Sequence, residues 1–259
     1  MQITTWNVNS IRARIDRAYN WIKTNRPDIL CIQETKVVDG AFPFREFELL
    51  GYKSAFYGQK SYNGVAILSP HPIEDVFYGF ANKGDDEDEQ ARIIAAKIQG
   101  VHVVNVYVPN GTEVGSAAFD YKLAWLDRLR DEYLARRYDA SDKLVVCGDF
   151  NIAPDDRDVW SVPQWRDSII THDKVRSAYQ RLLDFGLTDV FREHDHSEDA
   201  YTWWAYRGGA LTKNRGVRID MHLCTPSLAE LCTHVEIDMD ERSGEKPSDH
   251  APLIARFDL

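Results

Sequence analysis

Asp149 and Asn151 stand two residues apart at the end of a run of four apolar residues, Leu144 to Cys147, within the stretch Lys143-Leu-Val-Val-Cys-Gly-Asp-Phe-Asn151. Residues two apart in an extended chain share a face, so a carboxylate and a carboxamide are expected to project together from a sheet rim. The carboxylate offers the hard oxygen that Mg²⁺ prefers, and the amide can donate to a phosphoryl oxygen without adding negative charge. The same residues would equally end a strand with an Asx turn. Other apolar runs close in the same way. Residues 3–8 lead to Asn7 and Asn9, Ile29-Leu-Cys-Ile leads to Gln33 and Glu34, and residues 101–108 bring Tyr107 to a strand end. A packed aromatic is the plainer reading of Tyr107. Ser248-Asp249-His250 precedes the last apolar run, and Arg218, Asp220 and His222 alternate with apolar residues along 217–223. An acid between an Arg and a His is also what a surface network looks like.

These residues need a scaffold of strands buried on both faces. Ile11, Ile15, Ala18, Tyr19 and Ile22 have the three-and-four spacing of an amphipathic helix that stops near Pro27. Asn63-Gly64 signals a turn ahead of Val65 to Leu68, and residues 92–98 and 101–108 read as neighbouring strands joined at Gly100. Residues 119–138 read as a long helix with Leu123, Leu126, Leu129 and Tyr133 inside and Lys122, Arg128, Arg130, Arg136 and Arg137 among its polar positions. The stretch 155–173 is irregular and rich in Trp, and 175–185 is a helix closed by Gly186. His194 and His196 sit in a polar loop. Tyr201-Thr-Trp-Trp204 then runs into a basic loop with Arg207, Lys213, Arg215 and Arg218, an interleaving of aromatic planes and cations suited to nucleotides.

At 259 residues, without a Pro/Gly/Ser-rich linker, the chain is expected to form one domain, 1–259. A net charge of −10 argues against a general polyanion binder, so any nucleic-acid site must be local. Five acids in a row, Asp85 to Glu89, are expected in a solvated loop. Cys31, Cys147, Cys224 and Cys232 lack paired metal-ligand spacing and read as reduced core thiols. No secretion signal or membrane span is evident, which leads to the expectation of a cytoplasmic protein.

Taken in order, Trp6-Asn-Val-Asn9, Ile32-Gln-Glu-Thr35, Asn63-Gly-Val-Ala-Ile-Leu68, Tyr107-Val-Pro-Asn-Gly111, Gly148-Asp-Phe-Asn151, Arg218-Ile-Asp220 and Ser248-Asp-His250 resemble the exonuclease III family of abasic-site endonucleases, within the endonuclease/exonuclease/phosphatase superfamily. The resemblance spans essentially the whole chain. It implies an α/β, deoxyribonuclease I-like fold: a four-layered αββα sandwich of two packed mixed sheets flanked by helices. It implies a metal-dependent DNA-repair nuclease that incises 5′ of abasic sites, leaves a 3′-hydroxyl and degrades duplex DNA from 3′ ends. By similarity Glu34 is the principal Mg²⁺ or Mn²⁺ ligand, with Asp249 and Asn9 near it and Asp149 and Asn151 contributing. The family often carries Asp where Asn9 stands, which leaves this metal site one charge poorer. Asp220 would orient His250, Asn7, Asn151 and Tyr107 would donate hydrogen bonds, and Asp149 would act on the attacking water. Trp203, Trp204 and Ile219 resemble the pocket for an abasic sugar, and Arg92, Lys122, Arg207 and Arg215 are assigned to DNA backbone contact. The expected partner is double-stranded DNA, bound by a monomer and not at a membrane. Two rivals are a lipid or inositol phosphoesterase of the same superfamily and a non-catalytic nucleic-acid-binding relative.

Overall fold

A computed structural model describes residues 1–81 and 90–259, so the acidic run Asp85 to Glu89 lies outside the described residues. Fourteen strands are present among the described residues: β1 (Gln2–Asn7), β2 (Ile29–Gln33), β3 (Lys53–Tyr57), β4 (Val65–Ser69), β5 (Glu74–Tyr78), β6 (Ile93–Ile98), β7 (Val101–Tyr107), β8 (Leu144–Asp149), β9 (Thr188–Asp189), β10 (Trp203–Trp204), β11 (Gly216–Val217), β12 (Asp220–Cys224), β13 (Cys232–Ile237) and β14 (Leu253–Phe257). Two six-stranded sheets result, ordered β13-β14-β1-β2-β4-β3 and β5-β6-β7-β8-β12-β9, and β10 pairs with β11 beside them. Each large sheet contains one parallel pair, β1 with β2 and β7 with β8, among antiparallel neighbours.

The continuous apolar runs are explained by burial on both faces. Along β2, Ile29 and Cys31 face the other sheet, whereas Leu30 and Ile32 face a core under helix α1 (Ile15–Asn25). Along β8, Val145 and Cys147 face the inter-sheet core, whereas Leu144 and Val146 pack towards the long helix α2 (Ala117–Arg128) and helix α3 (Asp173–Leu183). Period-two alternation thus feeds two apolar layers instead of one apolar and one wet face. The outcome is the helix–sheet–sheet–helix layering. The long helix continues through a π-helical segment, Leu129–Leu134, where one residue is inserted into the usual turn.

A few polar groups cross between the sheets. Gln33 Nε2 on β2 donates to Asn105 Oδ1 on β7 at 2.7 Å and to Thr5 Oγ1 at 2.8 Å. Asn105 Nδ2 donates back to the carbonyls of Ile32 (3.0 Å) and Ala66 (2.8 Å). No described helix is long and apolar enough to cross a membrane.

Candidate active site

Strand register brings three of the chemically interesting residues into one row. Tyr107, at the end of β7, is paired with Asp149 at the end of β8, and Asp149 is paired with Asp220 at the start of β12. Gly148 makes the row possible: a Cβ there would lie 1.9 Å from the Val106 carbonyl oxygen, so only glycine fits against β7. From the other sheet, Asn7 ends β1 beside Gln33, and Glu34 follows directly. Glu34 (φ 53°), Asn9 (φ 44°) and Asn151 (φ 51°) have all left the strand for left-handed backbone conformations. The extended geometry expected for Asp149 and Asn151 therefore does not hold. They share a rim through an Asx turn, in which Asn151 N donates to Asp149 Oδ1 at 2.9 Å.

The polar contacts form one linked set. Asn7 Nδ2 donates to Glu34 Oε1 and to Asp149 Oδ2, both at 2.9 Å, and so joins the two sheets' carboxylates. His250 Nδ1 lies 2.8 Å from Asp220 Oδ2, and its Nε2 lies 3.7 Å from Asp149 Oδ2. Asp249 accepts from Asn9 Nδ2 through one oxygen and from Trp203 Nε1 through the other, each at 3.0 Å. Lys36 Nζ bridges Glu34 Oε2 and Asn9 Oδ1, 2.6 Å from each. Asn151 Nδ2 donates to the Val108 carbonyl at 3.0 Å and keeps a second N–H. Arg92 lies over the Tyr107 ring at 4.9 Å and donates to its carbonyl.

Burial and charge pull these groups apart in acidity. Burial pushes the Asp149 carboxyl up to about 7, with the Asp220 and Glu34 charges adding to it against the opposing His250 cation. Burial opposes the His250 imidazolium, but the Asp220 and Asp149 carboxylates outweigh it and hold its pKa at about 10. Burial also acts against Glu34 and Asp249, yet hydrogen bonds and neighbouring cations win and keep both below the usual carboxylate range. Burial, with Glu34 and Asp149 nearby, drives the Tyr107 hydroxyl well up, so it stays protonated as a donor.

These groups border a cavity of about 330 Å³ whose apolar wall is Trp165, Ile169, Ile170, Trp203, Val217 and Ile219. Residues 4–250 match the Endonuclease/Exonuclease/phosphatase family. The chain belongs to that family. It is 37% identical to the exodeoxyribonuclease III of Haemophilus influenzae, over 99% of this chain and 100% of the relative. Among solved structures it resembles an AP endonuclease from Archaeoglobus fulgidus (TM-score 0.95, 44% identity) and a 3′ phosphatase from Neisseria bound to a product DNA hairpin (TM-score 0.93, 41% identity), each match covering 100% of both chains.

Within this family framework two of the expected substrate residues stand elsewhere. Trp204 is 1% exposed: its ring packs with Tyr201, Ala210 and Ala251, and its Nε1 donates to Asn214. On a two-residue strand its neighbour Trp203 points the opposite way, into the cavity. Lys122 is 0% exposed and meets only backbone carbonyls, so it does not reach DNA. Arg207 and Arg215 lie on the exposed loop before β11, with Arg215 4.9 Å above the Trp160 ring, and neither borders the cavity. The expected strand 217–223 is broken at Arg218 and Ile219. Arg218 is fully buried and paired with Asp158 (2.7 Å) and Asp189 (2.8 Å), the core of a charged cluster lining a separate cavity of about 500 Å³.

Trp165, Ile169, Ile170 and Val217 were not anticipated in the cavity wall. The Trp-rich stretch after the Gly-Asp-Phe-Asn motif was the signal for the first three.

Members of this family depend on a divalent cation, and the acidic oxygens gathered here could receive one. Asp149, Asp220 and His250 offer ligand atoms within 4.8 Å of one another. Two of the three already serve each other in the Asp220–His250 hydrogen bond, however. Glu34 and Asp249, both held ionised, and the Asn9 carboxamide carry oxygens of the kind a hard cation takes; in this structure those oxygens accept from Asn7 and Lys36, from Asn9 and Trp203, and from Lys36 respectively.

Proposed function

We propose that this chain is a DNA-repair nuclease that hydrolyses phosphodiester bonds in duplex DNA, incising 5′ of abasic sites to leave a 3′-hydroxyl and removing nucleotides from 3′ ends. One observation carries the reading: the buried Asp220–His250–Asp149 line opens directly onto a cavity walled by aromatic and aliphatic side chains. Hydrolytic polarity therefore sits beside a space suited to the apolar face of a sugar that has lost its base. Swinging such a nucleotide out of the stack is cheap because no pairing or base stacking is given up. The relatives with nuclease and DNA-bound descriptions support duplex DNA as substrate.

In this mechanism Asp149, with its raised pKa, accepts a proton from the attacking water or holds that water in line. Asn7 fixes the Asp149 carboxylate from the opposite sheet. His250, kept cationic and oriented by Asp220, donates Nε2–H to a non-bridging phosphoryl oxygen. The Tyr107 hydroxyl and the free Asn151 N–H add donors at the same charge. Water forms the new P–O bond, the P–O3′ bond breaks, and the departing 3′ oxygen takes up a proton. Glu34 and Asp249, with Asn9, would hold Mg²⁺ or Mn²⁺, which supplies positive charge to the phosphoryl oxygens when bound. Trp203, Trp165 and Ile219 take the sugar, and Arg92 stands at the rim for a phosphate. We infer that one domain acts as a monomer.

A duplex labelled at one strand, carrying a central tetrahydrofuran abasic analogue and a matched 3′ end, tests both activities on one gel. A metal-dependent cut 5′ of the analogue together with a ladder from the 3′ end is expected. No cleavage with Mg²⁺ or Mn²⁺, against an EDTA control, would overturn the reading.

A further inference from the structure

Lys122 is among the largest fully buried side chains of the described residues. Its ammonium donates to three acceptors, all backbone carbonyls: Asn151 at 2.6 Å, Ile169 at 2.7 Å and Asn110 at 3.2 Å. An ammonium has three N–H groups, so the match is complete. No carboxylate neutralises it by direct contact, and burial pulls its pKa down to about 7. A buried cation with neutral partners is a costly way to gain stability, and apolar replacements of buried charges are often tolerated or better. What this arrangement does supply is position.

The three carbonyls belong to three residues that border the same cavity. Asn110 lies in the turn after β7, Asn151 follows β8, and Ile169 comes from the irregular segment that forms the apolar wall. Above the ammonium, Asn110 Nδ2 donates to Asn151 Oδ1 at 3.2 Å, which ties the first two segments through their side chains as well. Gly111 (φ +94°) leaves room for the lysine stem: a Cβ there would approach Lys122 Cδ to 3.1 Å. Helix α2, none of whose residues borders the cavity, supplies the lysine from behind.

We propose that Lys122 is a positioning residue that pins the backbone of Asn110, Asn151 and Ile169 and thereby sets the catalytic rim against the sugar-binding wall. This rests on the nuclease reading of the cavity. Removing the three donors frees the Asn151 segment to shift relative to Asp149, and frees Ile169 to move away from Trp203.

The test compares kcat and KM on the abasic-analogue duplex for the wild type and Lys122→Met, with melting temperature and amide hydrogen exchange recorded on the same samples. The proposal requires that kcat fall tenfold or more at a temperature where the variant is folded, with KM changed less than the rate. A purely structural lysine would lower the melting temperature and leave kcat of the folded enzyme alone. A folded variant that loses less than tenfold in kcat overturns the proposal. If Lys122→Met does not fold, Lys122→Gln, which is uncharged but keeps two donors, is held to the same threshold. An inactive wild type would count against the nuclease reading and not against the clamp. In that event exchange at residues 150–153 and 168–171 decides, tenfold acceleration supporting the clamp and unchanged exchange refuting it.

Discussion

Nδ1 of His250 lies 2.8 Å from Oδ2 of Asp220, and both side chains are almost completely shielded from solvent. The carboxylate fixes which ring nitrogen carries the inward proton and leaves Nε2 aimed at Asp149 and the cavity. A cationic imidazole is thus stored in the site before substrate arrives.

Replacing Asp220 by Asn should reduce kcat by about 100-fold, within the range for a group that orients an acid–base partner. The alkaline limb of the pH–rate profile should also move down from about 10, because the carboxylate that raises the His250 pKa is gone. The same shift appears in stability. A histidine whose folded pKa lies above its unfolded value contributes fully below about 6.5 and loses that contribution as pH rises towards 10. Wild-type melting temperature should therefore decline across that window more steeply than that of Asp220→Asn, as read by calorimetry at several pH values.

Asp149→Asn should abolish turnover while DNA binding stays measurable by fluorescence anisotropy. In the wild type without metal the carboxyl should titrate near 7 by NMR. With metal present the acidic limb of the rate profile should lie lower, since added positive charge favours the carboxylate. Near-normal turnover in the Asn variant would remove Asp149 from the mechanism.

Trp165 meets Trp203 edge-on, with ring centroids 6.4 Å apart. Trp165→Ala should weaken incision at an abasic site by roughly tenfold, mainly through KM, as expected for losing one aromatic contact. Degradation from a matched 3′ end, compared on the same duplex, should change less if the wall serves the flipped sugar.

Asp158 accepts from both Arg218 and Arg192 and is fully buried. Asp158→Ala takes one carboxylate from each of two guanidinium groups, leaving Arg218 with Asp189 and Arg192 with the Asp195 and Ser197 carbonyls, and should cost about 3 kcal/mol of stability. Denaturant unfolding measures it, and a loss under about 1 kcal/mol would show that water replaces the carboxylate readily.

Buried strands such as β2 and β8 were legible because they are apolar on both faces and end abruptly in polar residues, whereas the four-layered arrangement came from the family resemblance and not from the strand pattern. Asn7, Glu34, Tyr107 and Asp149 stand at the ends of such strands, whereas Asp220 and His250 were singled out only by the motif order that carries the family resemblance. What escaped was direction and irregular chain. Adjacent Trp203 and Trp204 cannot both face one cavity, and their order on a two-residue strand carries no mark of which one does. Trp165, Ile169 and Ile170 lie in a segment without period, where no pattern reports a facing. Lys122 was misplaced by its charge, although Phe119, Trp125 and Leu126, three and four positions away, are core residues and place it on the buried stripe.

The amide pair Gln33–Asn105 acquires its meaning from the site it lies beneath. Asn7 and Glu34 come from one sheet, Asp149, Tyr107 and Asp220 from the other, and the attraction of the apolar layer between them is non-directional. Directional bonds at 2.7 Å, with Asn105 also reaching two carbonyls of the facing sheet, act as a dowel against shear. An enzyme whose reacting groups are divided between two plates can lose its alignment without losing its fold, and in this molecule the buried Gln33–Asn105 pair, with Asn7 above it, holds the two plates in register.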